Sequence, residues 1–326
     1  ELLEQIDRRG GGVFAVVGER GLGKTTLLHR MQGQRKSVTL VTCPPGGLTE
    51  LQPAIARALG LRAEASFDEI GEKLDQGGDD AALLLDDAHR LIRPTMGGLD
   101  AMDRLLEVAR KYSSRSAWVF AIDDVVWRFF ELARGARPAF DEALVLRRWQ
   151  EEAIVRLIRL RCKEAGVTPD FSVVIDDLPA DADAFDREEA RQRAEIAYSR
   201  MMWDYAEGNP GLAIHAWRSC LSLAEDGAAR VEPFEPADIA ELERLPDASL
   251  FVLRALVRLE DSSAREVSDA TMIPLAKVQD TLRYGQARGF VEFGDDNYSV
   301  PWPWYRAVTR FLRRRYLLHP TRPGAA

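Results

Sequence analysis

The chain predicts an α/β fold, a mostly parallel sheet covered by helices on both faces, with helical segments following it. Three observations carry this. Five short apolar runs, Val13-Phe14-Ala15-Val16-Val17, Val38-Thr39-Leu40-Val41-Thr42, Ala81-Ala82-Leu83-Leu84-Leu85, Trp118-Val119-Phe120-Ala121-Ile122 and Ala143-Leu144-Val145-Leu146, alternate with helical stretches. Strands that lack polar alternation are buried on both faces, which parallel sheets require. Between the first run and the first helix lies Gly18-Glu19-Arg20-Gly21-Leu22-Gly23-Lys24-Thr25, a complete G-x-x-x-x-G-K-[ST] loop. From Trp149 onward the pattern turns helical.

In chain order, the loop leads into a helix without a breaker, Thr25-Thr26-Leu27-Leu28-His29-Arg30-Met31. The second strand ends at Pro44-Pro45-Gly46-Gly47, and helices follow near 48–59 and 67–75. The third strand closes on two carboxylates, Asp86-Asp87, and a long amphipathic helix at 99–111 leads to the fourth. Helices are expected at 150–165, 187–206 and 211–225, with an acidic loop at 173–186 (or a short strand at 172–175) and a linker at 227–236. Residues 249–259 read as a helix. Ser263-Ala264-Arg265-Glu266 has capping-box spacing for a second, and Pro274 opens a third. Gly289-Phe290-Val291-Glu292-Phe293 and Asn297-Tyr298-Ser299-Val300, joined through Gly294-Asp295-Asp296, make a hairpin. Helix, helix, helix, hairpin is the layout of a winged helix. The expected domains are 1–149 for the phosphate loop and sheet, 150–228 for a helical lid, 237–300 for the winged helix and 301–326 for a basic helix and tail.

The loop names its ligand by chemistry. Gly18, Gly21 and Gly23 let the backbone turn its N–H groups around phosphate oxygens at the positive end of a helix, with Glu19, Arg20, Leu22 and Thr26 completing the cradle. Lys24 is placed to reach the β- and γ-phosphates, and the Thr25 hydroxyl to hold Mg²⁺. A triphosphate site also needs a carboxylate for Mg²⁺ and a group to orient the attacking water. Asp86 is assigned to the Mg²⁺ shell and Asp87 to the water, at the carboxyl end of a strand where α/β sheets gather ligands.

Composition bounds the alternatives. The 326 residues carry a net charge of −8, which excludes a general electrostatic attraction for nucleic acid. Cys43, Cys162 and Cys220 are scattered and odd in number, against a disulfide framework or a zinc site, and fit a cytoplasmic protein. No apolar run approaches bilayer length. The chain opens at Glu1 inside a helical pattern (Leu2, Leu3, Ile6) rather than at a methionine, as expected for a cytoplasmic piece of a longer protein, whose remainder could carry a membrane segment.

The phosphate loop (Walker A), the second apolar strand, Leu83-Leu84-Leu85-Asp86-Asp87-Ala88-His89-Arg90 (Walker B), the helical lid and the winged helix together resemble the AAA+/STAND group of P-loop ATPases, closest to its initiator-like (Orc/Cdc6-type) and STAND branches. The resemblance implies a sheet of order 5-1-4-3-2 with ATP between sheet and lid. Where hydrolases of the group carry Glu as second carboxylate, this chain has Asp87; its side chain is shorter by one methylene, so His89 becomes a candidate for helping to place water. Asp123-Asp124 stand where the sensor at the end of the fourth strand belongs. Gly208-Asn209-Pro210-Gly211-Leu212-Ala213 is similar to the STAND turn that lies against the nucleotide, which makes Pro210 a contact and leaves Gly211 where a sensor arginine would stand; Arg218 is the substitute. An arginine finger would come from Arg134, Arg137, Arg147 or Arg148, and Arg147-Arg148 are preferred because they follow the fifth strand. Tyr298-Ser299-Val300-Pro301 lacks the histidine with which STAND winged helices lock the resting state.

These features predict an ATP-binding, slowly hydrolysing switch that couples nucleotide state to lid and winged-helix movement and to self-association or a protein partner. The alternatives are a DNA-associated AAA+ regulator that assembles on DNA with ATP, and a module that holds ADP structurally. The basic segment 302–316, with Arg306, Arg310, Arg313, Arg314 and Arg315, presents Tyr305, Val308, Phe311 and Leu312 on one helical face. Its arginines face solvent or the acidic body, or contact anionic lipid, nucleic acid or a partner.

Overall fold

The computed structural model describes residues 11–34, 37–78, 81–93, 95–135, 138–175, 183–223 and 229–318. The pattern at Leu2, Leu3 and Ile6, the candidate Arg137 and the acidic stretch 176–182 lie outside the described residues. The chain divides into two compact units. One joins Glu1–Leu146, Leu245–Val300 and Leu312–Ala326; the other joins Arg147–Arg244 and Pro301–Phe311.

In the first unit, β1 (Gly12–Gly18) leads through the glycine loop to α1 (Lys24–Gln34), then β2 (Val38–Thr42), α2 (Leu48–Ala58), α3 (Phe67–Asp75), β3 (Ala82–Asp86), α4 (Asp100–Tyr112), β4 (Ala117–Asp123), α5 (Asp124–Arg134) and β5 (Glu142–Val145). The strands form one five-stranded sheet in the order β2-β3-β4-β1-β5, with every pairing parallel, as expected. Period-two alternation distributes the buried side chains between two cores. Val13, Leu83, Leu85, Trp118, Phe120 and Ile122 face the layer of α2, α3, α4 and α5, where Leu51, Ile55, Ile70, Leu105 and Phe130 meet them. Phe14, Val16, Leu84, Val119 and Ala121 face α1 through Leu28 and Met31. The central strands β1, β3 and β4 are wholly buried, whereas β2 and β5, at the edges, are partly exposed.

The second unit contains α6 (Glu151–Glu164), β6 (Pro169–Asp170), α7 (Ala184–Ala206), α8 (Pro210–Ser219), β7 (Leu221–Leu223), β8 (Ala229–Val231) and the short α9 (Ala240–Glu243). Here the structure corrects the sequence reading. Residues Ala229–Val231, expected in a linker, pair antiparallel with Leu221–Leu223 and parallel with Pro169–Asp170, making a three-stranded sheet. The helix expected to 225 stops at Ser219 for the same reason, and residues 172–174 form a 3₁₀ turn. Strands of two or three residues are too short to show alternation. Their stability comes from packing: Phe171, Tyr198 and Trp217 form a triangle of rings with centroids 5.9 to 6.2 Å apart.

The chain then returns to the first unit as α10 (Asp247–Leu259), α11 (Ala264–Thr271), α12 (Leu275–Ala287) and the antiparallel hairpin β9 (Glu292–Gly294) and β10 (Asn297–Ser299). Ser263 and Glu266 close the expected capping box on α11, and Pro274 directly precedes α12. The hairpin turns on Asp295 and Asp296, with φ of +50° and +61°, the signature of a type I′ turn. Ser262 and Tyr298 exchange backbone hydrogen bonds (3.1 and 2.8 Å), adding a one-residue third strand. Val252, Leu253, Leu256, Val267, Val278, Leu282 and Phe290 are its buried side chains. The last helix, α13 (Trp302–Arg314), buries Tyr305, Val308, Phe311 and Leu312, the face expected of it.

Leu84→Ala, at the centre of β3, should lower the free energy of unfolding by about 3 kcal/mol through lost burial and a residual cavity. The denaturant midpoint reads the loss directly.

Candidate functional site

The site begins where β1 runs out. At Gly21 and Gly23 φ is +88° and +97°, and a Cβ at Gly23 would meet nothing within 4 Å. Backbone conformation, not space, requires glycine there. The first hydrogen bond into α1 runs from Leu27 N–H to the Gly23 carbonyl (2.9 Å), so the amides of Lys24, Thr25 and Thr26 lie ahead of the helix's own ladder. The Thr25 and Thr26 side chains are exposed. Lys24 is buried and turned into the loop: its ammonium donates to the carbonyls of Gly18 (2.7 Å) and Glu19 (3.2 Å), and lies 3.9 Å from Asp123 Oδ2. The parallel register, Gly18 beside Asp123, creates that proximity.

The carboxylates gather at the same edge of the sheet. Asp86 is buried and accepts a hydrogen bond from the Asp87 amide (3.0 Å), while its carbonyl accepts from Cys43 N–H (2.8 Å). Asp87 has left-handed backbone (φ 51°, ψ 33°) and starts the 3₁₀ turn Ala88–Leu91. Burial raises the pKa of Asp87, and the charge of Glu260 adds to the effect. Asp123, at the sensor position, caps α5 by accepting from Val125 N–H (2.9 Å). Burial raises its pKa too, opposed mainly by Lys24. The carboxylate at the sensor position is thus the counter-ion of the loop lysine.

His89 is fully enclosed, and neither ring nitrogen has a hydrogen-bond partner. Burial pushes its pKa down to about 4, leaving the imidazole neutral near pH 7. Arg90, which the sequence reading passed over, lies 3.8 Å from Asp87 Oδ2 and 3.7 Å from Asp261 Oδ2. Glu260 was also passed over; its Oε1 stands 3.8 Å from His89 Nε2. It follows α10 with φ 57° and ψ −114°, a conformation that favours glycine and costs about 1–3 kcal/mol for other residues. Nothing in the local sequence signals a partner some 170 residues away; the positive φ appears only in three dimensions. Further bonds join the same two parts of this unit. Arg20 donates to the Val300 carbonyl (3.1 Å), Glu19 pairs with Arg313, and Arg93 lies 4.0 Å from Glu266.

The structure therefore brings together the loop, Asp86, Asp87, His89 and Asp123. Other candidates lie in the second unit. Arg147 is exposed, Arg148 pairs with Glu207, and Pro210 opens α8 behind Asn209, whose side chain accepts from Leu212 N–H (3.1 Å). Arg134, in the first unit, pairs with Asp103.

His89 gives a pH prediction. Its folded pKa lies below the unfolded value, so its contribution to stability is present above about pH 6.5 and is lost as pH falls toward 4. Asp87 and Asp123, raised, act in the opposite sense; Glu260, Asp86, Lys24 and Arg90 complete its charged surroundings. Between pH 7 and pH 5, in chelator, the wild type should lose about 2 kcal/mol more than His89→Gln, a difference that cancels the common carboxylates. Parallel denaturation curves measure it.

Residues 7–122 match the family model described as AAA domain. No curated protein sequence matches the chain. Among solved structures, the Walker-type ATPase PABY2304 of Pyrococcus abyssi aligns at 14% identity over 95% of this chain and 93% of its own, with a TM-score of 0.44. The ORC2 protein of Aeropyrum pernix, solved as ADPNP–ADP complexes, aligns at 16% identity over 97% and 93%, with a TM-score of 0.47. A single-residue variant of RuvB from Thermotoga maritima aligns at 16% identity over 94% and 91%, with a TM-score of 0.40. The glycine loop and strands β1 to β4 lie inside the matched stretch: over residues 7–122 the chain carries a P-loop AAA domain.

Proposed function

We propose that the protein is an ATP-binding switch that hydrolyses slowly, with a winged helix (expected at 237–300, of which Leu245–Val300 belongs to the first unit) holding its nucleotide domain in a resting state and a helical lid in the second unit. The observation that carries the proposal is the occupation of the site by the protein itself. Lys24 is bonded to loop carbonyls and Asp123, Glu19 and Arg20 are held by Arg313 and Val300, and Glu260 and Asp261 stand against His89 and Arg90. A bound nucleotide has to compete for Lys24 and for the loop, so binding and release of the winged helix become one equilibrium.

The residues suit Mg²⁺–ATP. Four carboxylates (Asp86, Asp87, Asp123, Glu260) gather around two cations (Lys24, Arg90), an excess of negative charge that favours a divalent ion. Thr25 and Asp86 would hold Mg²⁺, which when bound neutralises charge on the phosphate oxygens. Lys24 would exchange its carbonyl partners for β- and γ-phosphate oxygens. Asp87, whose raised pKa marks a desolvated carboxylate, would accept the proton of the attacking water, with a neutral His89 beside it. The short Asp87 side chain supports slow turnover. Arg147 and Arg148 remain the proposed source of an arginine finger between copies, and Pro210 a lid contact.

Lys24→Ala should weaken ATP binding about 10- to 100-fold, the worth of lost charge-assisted bonds. Asp87→Asn should keep binding and lose turnover. Calorimetry and phosphate release separate the two, and retained tight binding in Lys24→Ala removes the site. Light scattering with and without ATP should show a change of mass; salt-sensitive capture of duplex DNA would favour the DNA-associated regulator instead, and ADP that never exchanges would favour the structural module.

A further inference from the structure

Asp87, His89 and Glu260 each point one ligand atom into a common space, and these atoms lie within 4.8 Å of one another. His89 contributes an imidazole wholly removed from solvent, with no hydrogen-bond partner on either nitrogen. A buried polar ring without a partner is costly and calls for one. The 3.8 Å gap between His89 Nε2 and Glu260 Oε1 is too long for a hydrogen bond. It is close to the separation of about 3.3 Å between two ligands of one tetrahedral ion with bonds near 2.0 Å.

We propose that Asp87, His89 and Glu260 form a binding site for a divalent transition-metal ion of the Zn²⁺ class, separate from the Mg²⁺ position at Thr25 and Asp86. The choice of ion follows from the ligands. One imidazole nitrogen with two carboxylate oxygens suits Zn²⁺ and its neighbours, whereas Mg²⁺ and Ca²⁺ prefer oxygen alone. Three protein ligands leave a fourth position open for water. The two added charges also offset the carboxylate excess at this end of the sheet. His89 also lines a cavity of ≈ 100 Å³, together with Arg90, Asp261, Ser262 and Glu266. Two ligands come from the Asp87–His89 turn after β3 and the third from the end of α10, so the ion clasps the winged-helix part onto the end of the Walker strand. The site does not depend on nucleotide turnover.

Co²⁺ and Zn²⁺ titrations of the whole chain, without nucleotide or Mg²⁺, test it. One equivalent of Co²⁺ should produce a visible ligand-field band that Zn²⁺ abolishes, and Zn²⁺ should raise the melting temperature reversibly with chelator. His89→Gln and Glu260→Gln should each weaken binding more than about 100-fold, beyond the loss typical of an outer-shell partner. Lys24→Ala, which disables the phosphate loop, should retain the metal, so failure of the nucleotide reading and failure of this one are distinguishable. Cys43→Ser, a buried thiol in contact with the same strand end, should retain it as well. Absence of stoichiometric binding overturns the proposal, as does binding unchanged in a folded Glu260→Gln variant or lost only in Cys43→Ser.

Discussion

A lysine ammonium buried at the carboxyl end of a parallel sheet has to be compensated, and the way Lys24 is compensated organises this molecule. Its partners are the two carbonyls that close β1 and the carboxylate that closes β4. Those partners are in reach only because β1 and β4 pair in parallel with Gly18 beside Asp123, and that register follows from which residues the strands bury. A one-residue slip would send Phe14 and Val16 to the opposite core and remove Asp123 from the lysine. Core packing and site electrostatics are thus one constraint.

Much of the nucleotide domain was legible in the sequence. Strands buried on both faces declare themselves as apolar runs, and β1, β3 and β4 do. The glycine loop is legible because its chemistry is local: eight consecutive residues hold the turn, the lysine and the threonine. Asp86 and Asp87 were legible from their place after an apolar strand. The capping box at Ser263 and the type I′ tip at Asp295-Asp296 also depend on neighbours in sequence.

What escaped is non-local. Glu260 and Asp261 look like any acidic helix end, and only tertiary structure sets them against His89 and Arg90. The role of Asp123 as partner of Lys24 was hidden because the lysine lies about a hundred residues upstream. The small sheet β6-β8-β7 was invisible because two- and three-residue strands carry no periodicity, and an aromatic triangle from three separate segments stabilises their surroundings. The basic face of α13 was ambiguous in the same way. Arg306 is buried, pairing with Glu207 and donating to the Tyr205 carbonyl (3.0 Å), and Arg313 holds Glu19. Two of the arginines that suggested an external anionic surface serve internal acids.

The backbone at Glu260 has a consequence for how this chain could be stabilised. At φ 57° and ψ −114° glycine is the residue of lowest cost, so Glu260→Gly would relieve local strain. The same replacement would delete the carboxylate that faces the Walker turn. Relief of backbone strain and retention of the carboxylate beside His89 therefore pull in opposite directions at a single position, and selection for heat resistance alone would be expected to act against that carboxylate.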